Sequence, residues 1–165
     1  MNKQFLTFLA VGLAVACGIW YFFYASTKDM ALAVSGEILK VRTVELSPHN
    51  VFLMTDFRVR NTSAVDFMLK EASIFVTMAD GQEKEGHTVA RSDIDNIMQY
   101  TPLAGPKFNQ VLVMRDRVAA KVSIDRMAGA TFAVEEQDLQ ARKKIRLHLT
   151  DLDGKEFDLL EKSAQ

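Results

Sequence analysis

Residues 5–24 contain no Lys, Arg, Asp or Glu, and ahead of the aromatic cluster that closes the run the only polar side chains are Thr7 and Cys17. Twenty helical residues rise about 30 Å, the thickness of a bilayer's hydrocarbon core. The run therefore divides the chain into a cytoplasmic tip at residues 1–4, a transmembrane signal-anchor helix at 5–24, a tether at 25–33 and one domain at 34–165. All 21 acidic residues and every basic residue except Lys3 lie beyond the run. That leaves a near-neutral surface, which argues against a nucleic-acid partner, since such a partner selects a basic stripe. Cys17 is the sole cysteine and sits inside the apolar run, so the domain contains no disulfide, no thiolate nucleophile and no Cys-based zinc site.

A cleaved signal peptide also begins with a short basic flank and an apolar run. Here the run is longer than a usual h-region and ends in Trp20-Tyr21-Phe22-Phe23-Tyr24, rings suited to the headgroup level. Ala25-Ser26-Thr27 leaves cleavage as the alternative. Leu13-Ala14-Val15-Ala16-Cys17 resembles a bacterial lipobox, but Ala14 replaces a larger aliphatic and apolar residues follow Cys17 where a polar tether belongs. The short N-terminal flank favours an N-in orientation. That places the domain on the extracytoplasmic side of the cytoplasmic membrane, in the periplasm if the cell is Gram-negative.

Beyond the tether the pattern shifts towards period two. Residues 37–46 predict a strand with a bulge near Val41, and Ser47-Pro48-His49-Asn50 predicts a turn. Residues 51–60 predict a strand whose first half, Val51-Phe52-Leu53-Met54, is apolar on both faces. Ala72, Ile74, Val76 and Met78 share one face of the next strand, which ends at an Asp80-Gly81 turn and returns over 82–89. Ser92 precedes Ile94, Ile97 and Met98 at helical spacing, predicting a short capped helix that ends before Pro102. Residues 111–114 read as an inner strand. Val118, Ala120, Val122 and Ile124 alternate as the inward face of another strand, and 127–133 read as a small-residue loop. Residues 135–144 read as a loop or irregular edge. Ile145, Leu147 and Leu149 alternate with Arg146, His148 and Thr150 before an Asp151-Leu152-Asp153-Gly154 turn and a last strand around Phe157. Many short strands, frequent turns and one short helix make an all-β chain, an antiparallel immunoglobulin- or fibronectin-like β-sandwich behind a transmembrane helix.

No catalytic constellation emerges. His49, His87 and His148 fall at no ligand spacing; carboxylates cluster at Asp93/Asp95, Glu135/Glu136/Asp138 and Asp151/Asp153, and Asp151-Leu152-Asp153-Gly154 resembles the start of a calcium loop but lacks the downstream glutamate at the EF-hand distance. The reading is a non-enzyme with no cofactor and no metal. Two features point to contacts. Ala10, Ala14 and Gly18 recur every four residues on one face of the anchor, a spacing that allows close helix approach and a homodimer. Tyr100, Pro102 and Leu103 form an apolar connection between strands, a candidate surface for an envelope-protein partner.

Phe57-Arg58-Val59-Arg60-Asn61-Thr62-Ser63, followed by Ile74-Phe75-Val76-Thr77-Met78-Ala79-Asp80-Gly81, resembles the late-embryogenesis-abundant type 2 domain, also called the water-stress and hypersensitive response or desiccation-related domain. Bacterial envelope domains resemble it too. The resemblance covers about 25 residues, and Thr62 stands where the family's proline usually follows the Asn. It implies an immunoglobulin-like sandwich with a stress-protective or interaction role and carries over no site residue. The expectation is a membrane-anchored, non-catalytic binding, scaffold or protective module. The alternatives are a carrier or sensor of an apolar ligand near Tyr100 and Leu103, and a hydrolase built on His87 or His148.

Overall fold

The computed structural model describes residues 3–27 and 31–161, with the backbone alone at 3, 5–7, 10, 26 and 27. The uncharged run forms one continuous helix, α1 (Lys3–Thr27). It extends into the expected tether, of which residues 28–30 lie outside the described residues. Among the described residues no helix is long and apolar enough to cross a membrane. The segment expected to span is thus helical, but the structure by itself does not make it a membrane span.

Among the described residues nine strands build two antiparallel sheets, a β-sandwich. The first sheet has the order β1 (Val34–Ser47), β2 (Asn50–Asn61), β7 (Ser123–Phe132), β5 (His87–Thr88). The second has the order β4 (Glu83–Glu85), β3 (Phe67–Thr77), β8 (Lys144–Asp151), β9 (Glu156–Leu160), with β6 (Arg117–Val118) also paired to β3. The period-two pattern explains the packing of β8. Ile145, Leu147 and Leu149 are fully buried between the sheets, while Arg146, His148 and Thr150 face outward. Ile74 and Val76 on β3 and Met78 just beyond it join them, with Val51, Leu53, Phe57 and Val59 opposite on β2. The hairpins fall at the expected turns: Gly81 (φ 92°) and Gly154 (φ 82°) take the left-handed conformation their positions require.

The doubly apolar stretch Val51-Phe52-Leu53-Met54 is buried on both faces. A second apolar cluster lies on the outer face of the first sheet, where Val44, Phe52, Met54 and Met127 pack against Ile94, Ala104 and Val111. The segment between β5 and β6 supplies that cover. It contains α2 (Arg91–Tyr100) and a single 3-10 turn at Pro102–Ala104.

Several expectations are corrected. The alternation at 118–124 is not a strand: β6 ends at Val118, residues 119–122 turn (Val122 N donates to Ala119 O, 3.2 Å), and Val122 is exposed. The supposed loop at 127–133 instead lies largely within β7, which pairs with β2 from Val51↔Phe132 to Arg60↔Ser123. Its small residues are needed at the strand centre. A Cβ added at Gly129 would lie 2.6 Å from the Phe52 ring and 3.1 Å from Ile94 Cδ1. The return strand at 82–89 splits, β4 pairing with β3 and β5 crossing to β7. A side chain at Gly86, the crossing point, would meet the Phe132 ring at 2.5 Å. Residues 111–114 form only an isolated bridge, Val111↔Met127. The one short helix is joined by α3 (Glu136–Gln140), which forms in the expected loop because Leu139 reaches the core. Ala90, not Ser92, is the N-cap of α2, without a side-chain bond. The expected irregularity near Val41 is present: the register of β1 shifts between Ile38 and Lys40, and again between Glu45 and Ser47.

Candidate functional site

The most organised polar group in the domain lies under the 101–109 connection. Asp56 stands on β2 with the parity of Phe52 and Met54, and it is only 3% exposed. Its Oδ2 accepts from Arg42 Nη2 (2.9 Å) and its Oδ1 from Asn109 Nδ2 (2.9 Å). Arg42 Nη1 donates to the carbonyls of Ala104 (2.7 Å) and Pro106 (2.9 Å). One carboxylate and one guanidinium thus bind three points of the connection: 104, 106 and 109. Ionic hydrogen bonds of this kind are about twice as strong as neutral ones, and the planar guanidinium fixes direction as well. Asp95 on α2 pairs with Arg91 within the helix and with Lys107, and the second pair ties the helix to the same connection.

The clamp leaves the apolar tips of the connection in solvent. Tyr100 is 76% exposed, Leu103 89%, and Pro102 is also exposed. Phe108 lies beside them in the chain, exposed, with Lys40 Nζ 4.6 Å and the Arg42 guanidinium 5.2 Å from its ring centroid. The helix divides as its spacing implies: Ile94 is buried, Ile97 and Met98 pack partly against the sheet, and Tyr100 points away. The candidate contact residues Tyr100, Pro102 and Leu103 therefore share one braced connection. Sequence reasoning missed Arg42, Asp56, Asn109 and Phe108. The available signal was a charged Asp56 on the parity of the buried Phe52 and Met54.

A second polar group occupies the outer face of the second sheet. His148 Nδ1 lies 2.8 Å from Asp158 Oδ1, and Asp158 also accepts from Arg146 (3.2 Å). Arg146 pairs with Glu83 (2.8 Å) and lies over the Phe75 ring (4.2 Å). Burial works against the Asp158 charge, but the bonds from His148 and Arg146 outweigh it and hold the carboxyl below its ordinary range. Ser73 is the cross-strand neighbour of His148, so a hydroxyl, an imidazole and a carboxylate stand in register on β3, β8 and β9. The other ring nitrogen of His148 faces Glu156 at 3.8 Å, and none of the described hollows is lined by this group. The arrangement pairs opposite charges across the outer face of the second sheet.

The remaining singled-out residues stay apart. His49 lies in the β1–β2 turn, 3.4 Å from Glu135, and His87 is exposed on β5. Among the described residues no three His, Cys, Asp or Glu side chains gather as metal ligands. Tyr100 and Leu103 line none of the described hollows. On α1, Ala14, Cys17 and Gly18 are exposed, and the side chain of Ala10 lies outside the described residues.

The chain matches no family model and no curated protein. Similar solved structures include a candidate ApaA protein from Bordetella pertussis, 12% identical, with a TM-score of 0.37 over 80% of this chain and 89% of that one. A structural-genomics target is 13% identical with a TM-score of 0.40, over 81% of this chain and 84% of that one. An uncharacterised β-sandwich protein from Clostridium difficile is 14% identical with a TM-score of 0.29, over 80% and 82%. Likeness at these scores transfers no residue and no role. The sandwich rests on the strand pairing of this chain.

Proposed function

We propose that this chain is a membrane-anchored, non-catalytic binding module. In this reading α1 holds it to the cytoplasmic membrane, the sandwich lies on the outer side, and the braced connection engages an envelope protein. The observation that carries it is the pairing of a buried ionic clamp with exposed apolar tips. Arg42, Asp56 and Asn109 hold the connection rigidly, yet Leu103 is 89% exposed. Apolar side chains held in place lose little freedom on binding, which favours a contact surface. The anchor assignment is supported by every described side chain at 11–25 being exposed, so that the apolar helix finds its cover outside the domain. The resemblance to the late-embryogenesis-abundant type 2 domain belongs to this reading as well. Asn61, which ends the resembling strand, is buried and ties the next turn together: it donates to Val65 O (2.7 Å) and Val118 O (3.1 Å) and accepts from the Ser63 hydroxyl (2.6 Å).

A photo-crosslinking residue at Leu103 in intact cells tests the contact. A discrete adduct that Tyr100→Ala weakens, with melting unchanged, is expected. No adduct at Leu103, Pro102 or Tyr100 overturns it. Resistance to carbonate extraction tests the anchor separately.

A further inference from the structure

The end of the sandwich nearest α1 has a composition of its own. The chain leaving α1 is caught there: Ala33 O accepts from Thr62 N (2.9 Å) and Thr62 Oγ1 (3.1 Å), and Leu32 O accepts from Lys155 Nζ (3.3 Å). From Thr27 to Leu32 a fully extended chain reaches at most about 18 Å. Whatever surface α1 enters, this end of the domain stays within that distance of the helix terminus.

Three turns lie at this end, each joining an exposed apolar residue to a basic one. The turn at 119–122 carries Lys121 and Val122, the latter 40% exposed, and Val122 O accepts from Asn61 N (2.9 Å). The turn at 151–154 carries Leu152, 47% exposed, with Lys155 next in the chain. The turn at 113–116 presents Met114 and Arg115, and Arg115 N donates to Leu69 O (2.7 Å), where Leu69 pairs with Asp151. Lys121 (φ 62°) and Arg115 (φ 69°) hold the left-handed conformation, where glycine would sit without strain. The acids nearby are mostly engaged: Asp66 with Arg117, Asp116 with Arg126, and Asp151 with backbone N–H groups of Met68 and Asp153. Among the described residues of these three turns, Asp153 is the acid left against Arg115, Lys121 and Lys155, and it lines a shallow hollow with Asp66, Asp151 and Lys155.

We infer that this end rests on a lipid surface, with Val122, Leu152 and Met114 at the acyl boundary and the three cations among the phosphates. The inference depends on α1 being the anchor. Apolar side chains flanked by long basic ones are the composition an interface selects, because the stem lies on apolar surface while the charge reaches the headgroup. Both lysines spend one donor on a backbone carbonyl and retain two for phosphate oxygens. The domain then stands on the bilayer by this end.

The test uses the full chain with Cys17→Ser, reconstituted into vesicles with and without anionic phospholipid. Single cysteines at Val122→Cys, Leu152→Cys and, at the far end, Ala133→Cys carry an environment-sensitive fluorophore. The labels at 122 and 152 should shift to the blue and be quenched by spin-labelled lipid several-fold more than the label at 133. Lys155→Gln should lower the docked-to-free ratio on anionic vesicles about fivefold, the equivalent of the ~1 kcal/mol a lysine gains near such a surface. Protein that floats with the vesicles but reports water at 122 and 152 overturns the docking and leaves the anchor standing. Protein that does not float overturns the anchor, and the docking with it.

Discussion

Removing Asp56 should release the connection that carries the rim. In Asp56→Ala, Arg42 loses its carboxylate partner and Asn109 its acceptor, both at 2.9 Å, at a position where the residue is 3% exposed. Arg42 Nε already has no hydrogen-bond partner, so the guanidinium has little in reserve. Breaking a buried pair by deleting one partner costs about 3–5 kcal/mol, because the other charge remains desolvated. Arg42 keeps its two carbonyl acceptors, Ala104 O and Pro106 O, which favours the lower figure. At roughly 4 °C per kcal/mol for a domain of this size, a loss of ~3 kcal/mol lowers Tm by about 12 °C. Circular dichroism of the full chain in detergent measures this. Arg42→Met with Asp56→Leu should melt well above the sum of the two single losses, since a buried pair exchanged for apolar groups is often nearly neutral. An Asp56→Ala protein melting within a degree or two of the unaltered chain would refute the clamp, as would strict additivity in the double variant.

Gly129→Ala should cost about 1–3 kcal/mol by overpacking, because its methyl meets the buried Phe52 ring at 2.6 Å, and an unchanged denaturation midpoint would contradict that packing. Ile145→Asp, which places an unpaired charge between the sheets, should prevent folding, whereas Val122→Asp in an exposed turn should change stability by less than ~0.5 kcal/mol. Equal solubility losses on expression would reject the assignment of the 119–122 turn. Hydrogen bonds from Arg58 (2.7 and 2.8 Å) hold the Asp125 carboxyl below its ordinary range, as His148 and Arg146 do for Asp158. Both groups stabilise the fold above the unfolded carboxylate value near 3.9 and lose that contribution as pH falls through the lower folded values. Asp125→Asn and Asp158→Asn should therefore flatten the acid limb of stability below about pH 4, by little for such exposed groups. An acid limb unchanged in both variants would reject the two pairs.

Local pattern alone determined much of this protein. The uncharged run at 5–24 specifies a helix because its side chains offer no hydrogen bonds and the polar backbone satisfies its own within a helix, and the alternation of β8 specifies its buried face. The turns at Asp80-Gly81 and Asp151-Leu152-Asp153-Gly154 follow from residues suited to left-handed angles. Tyr100, Pro102 and Leu103 could be singled out because apolar residues in a long connection are conspicuous. The tertiary structure decided the rest. Val118, Ala120, Val122 and Ile124 alternate cleanly, yet the chain turns at Lys121, whose φ of 62° leaves the extended region, and the strand that pairs with β2 begins only at Ser123. The small residues of β7, Ala128, Gly129 and Ala130, provide that room, and nothing local distinguishes them from a loop. The clamp joins positions 42, 56 and 109, which are far apart in the chain. Local propensity acts over a few residues, whereas such pairings depend on which surfaces remain uncovered once the sheets have packed.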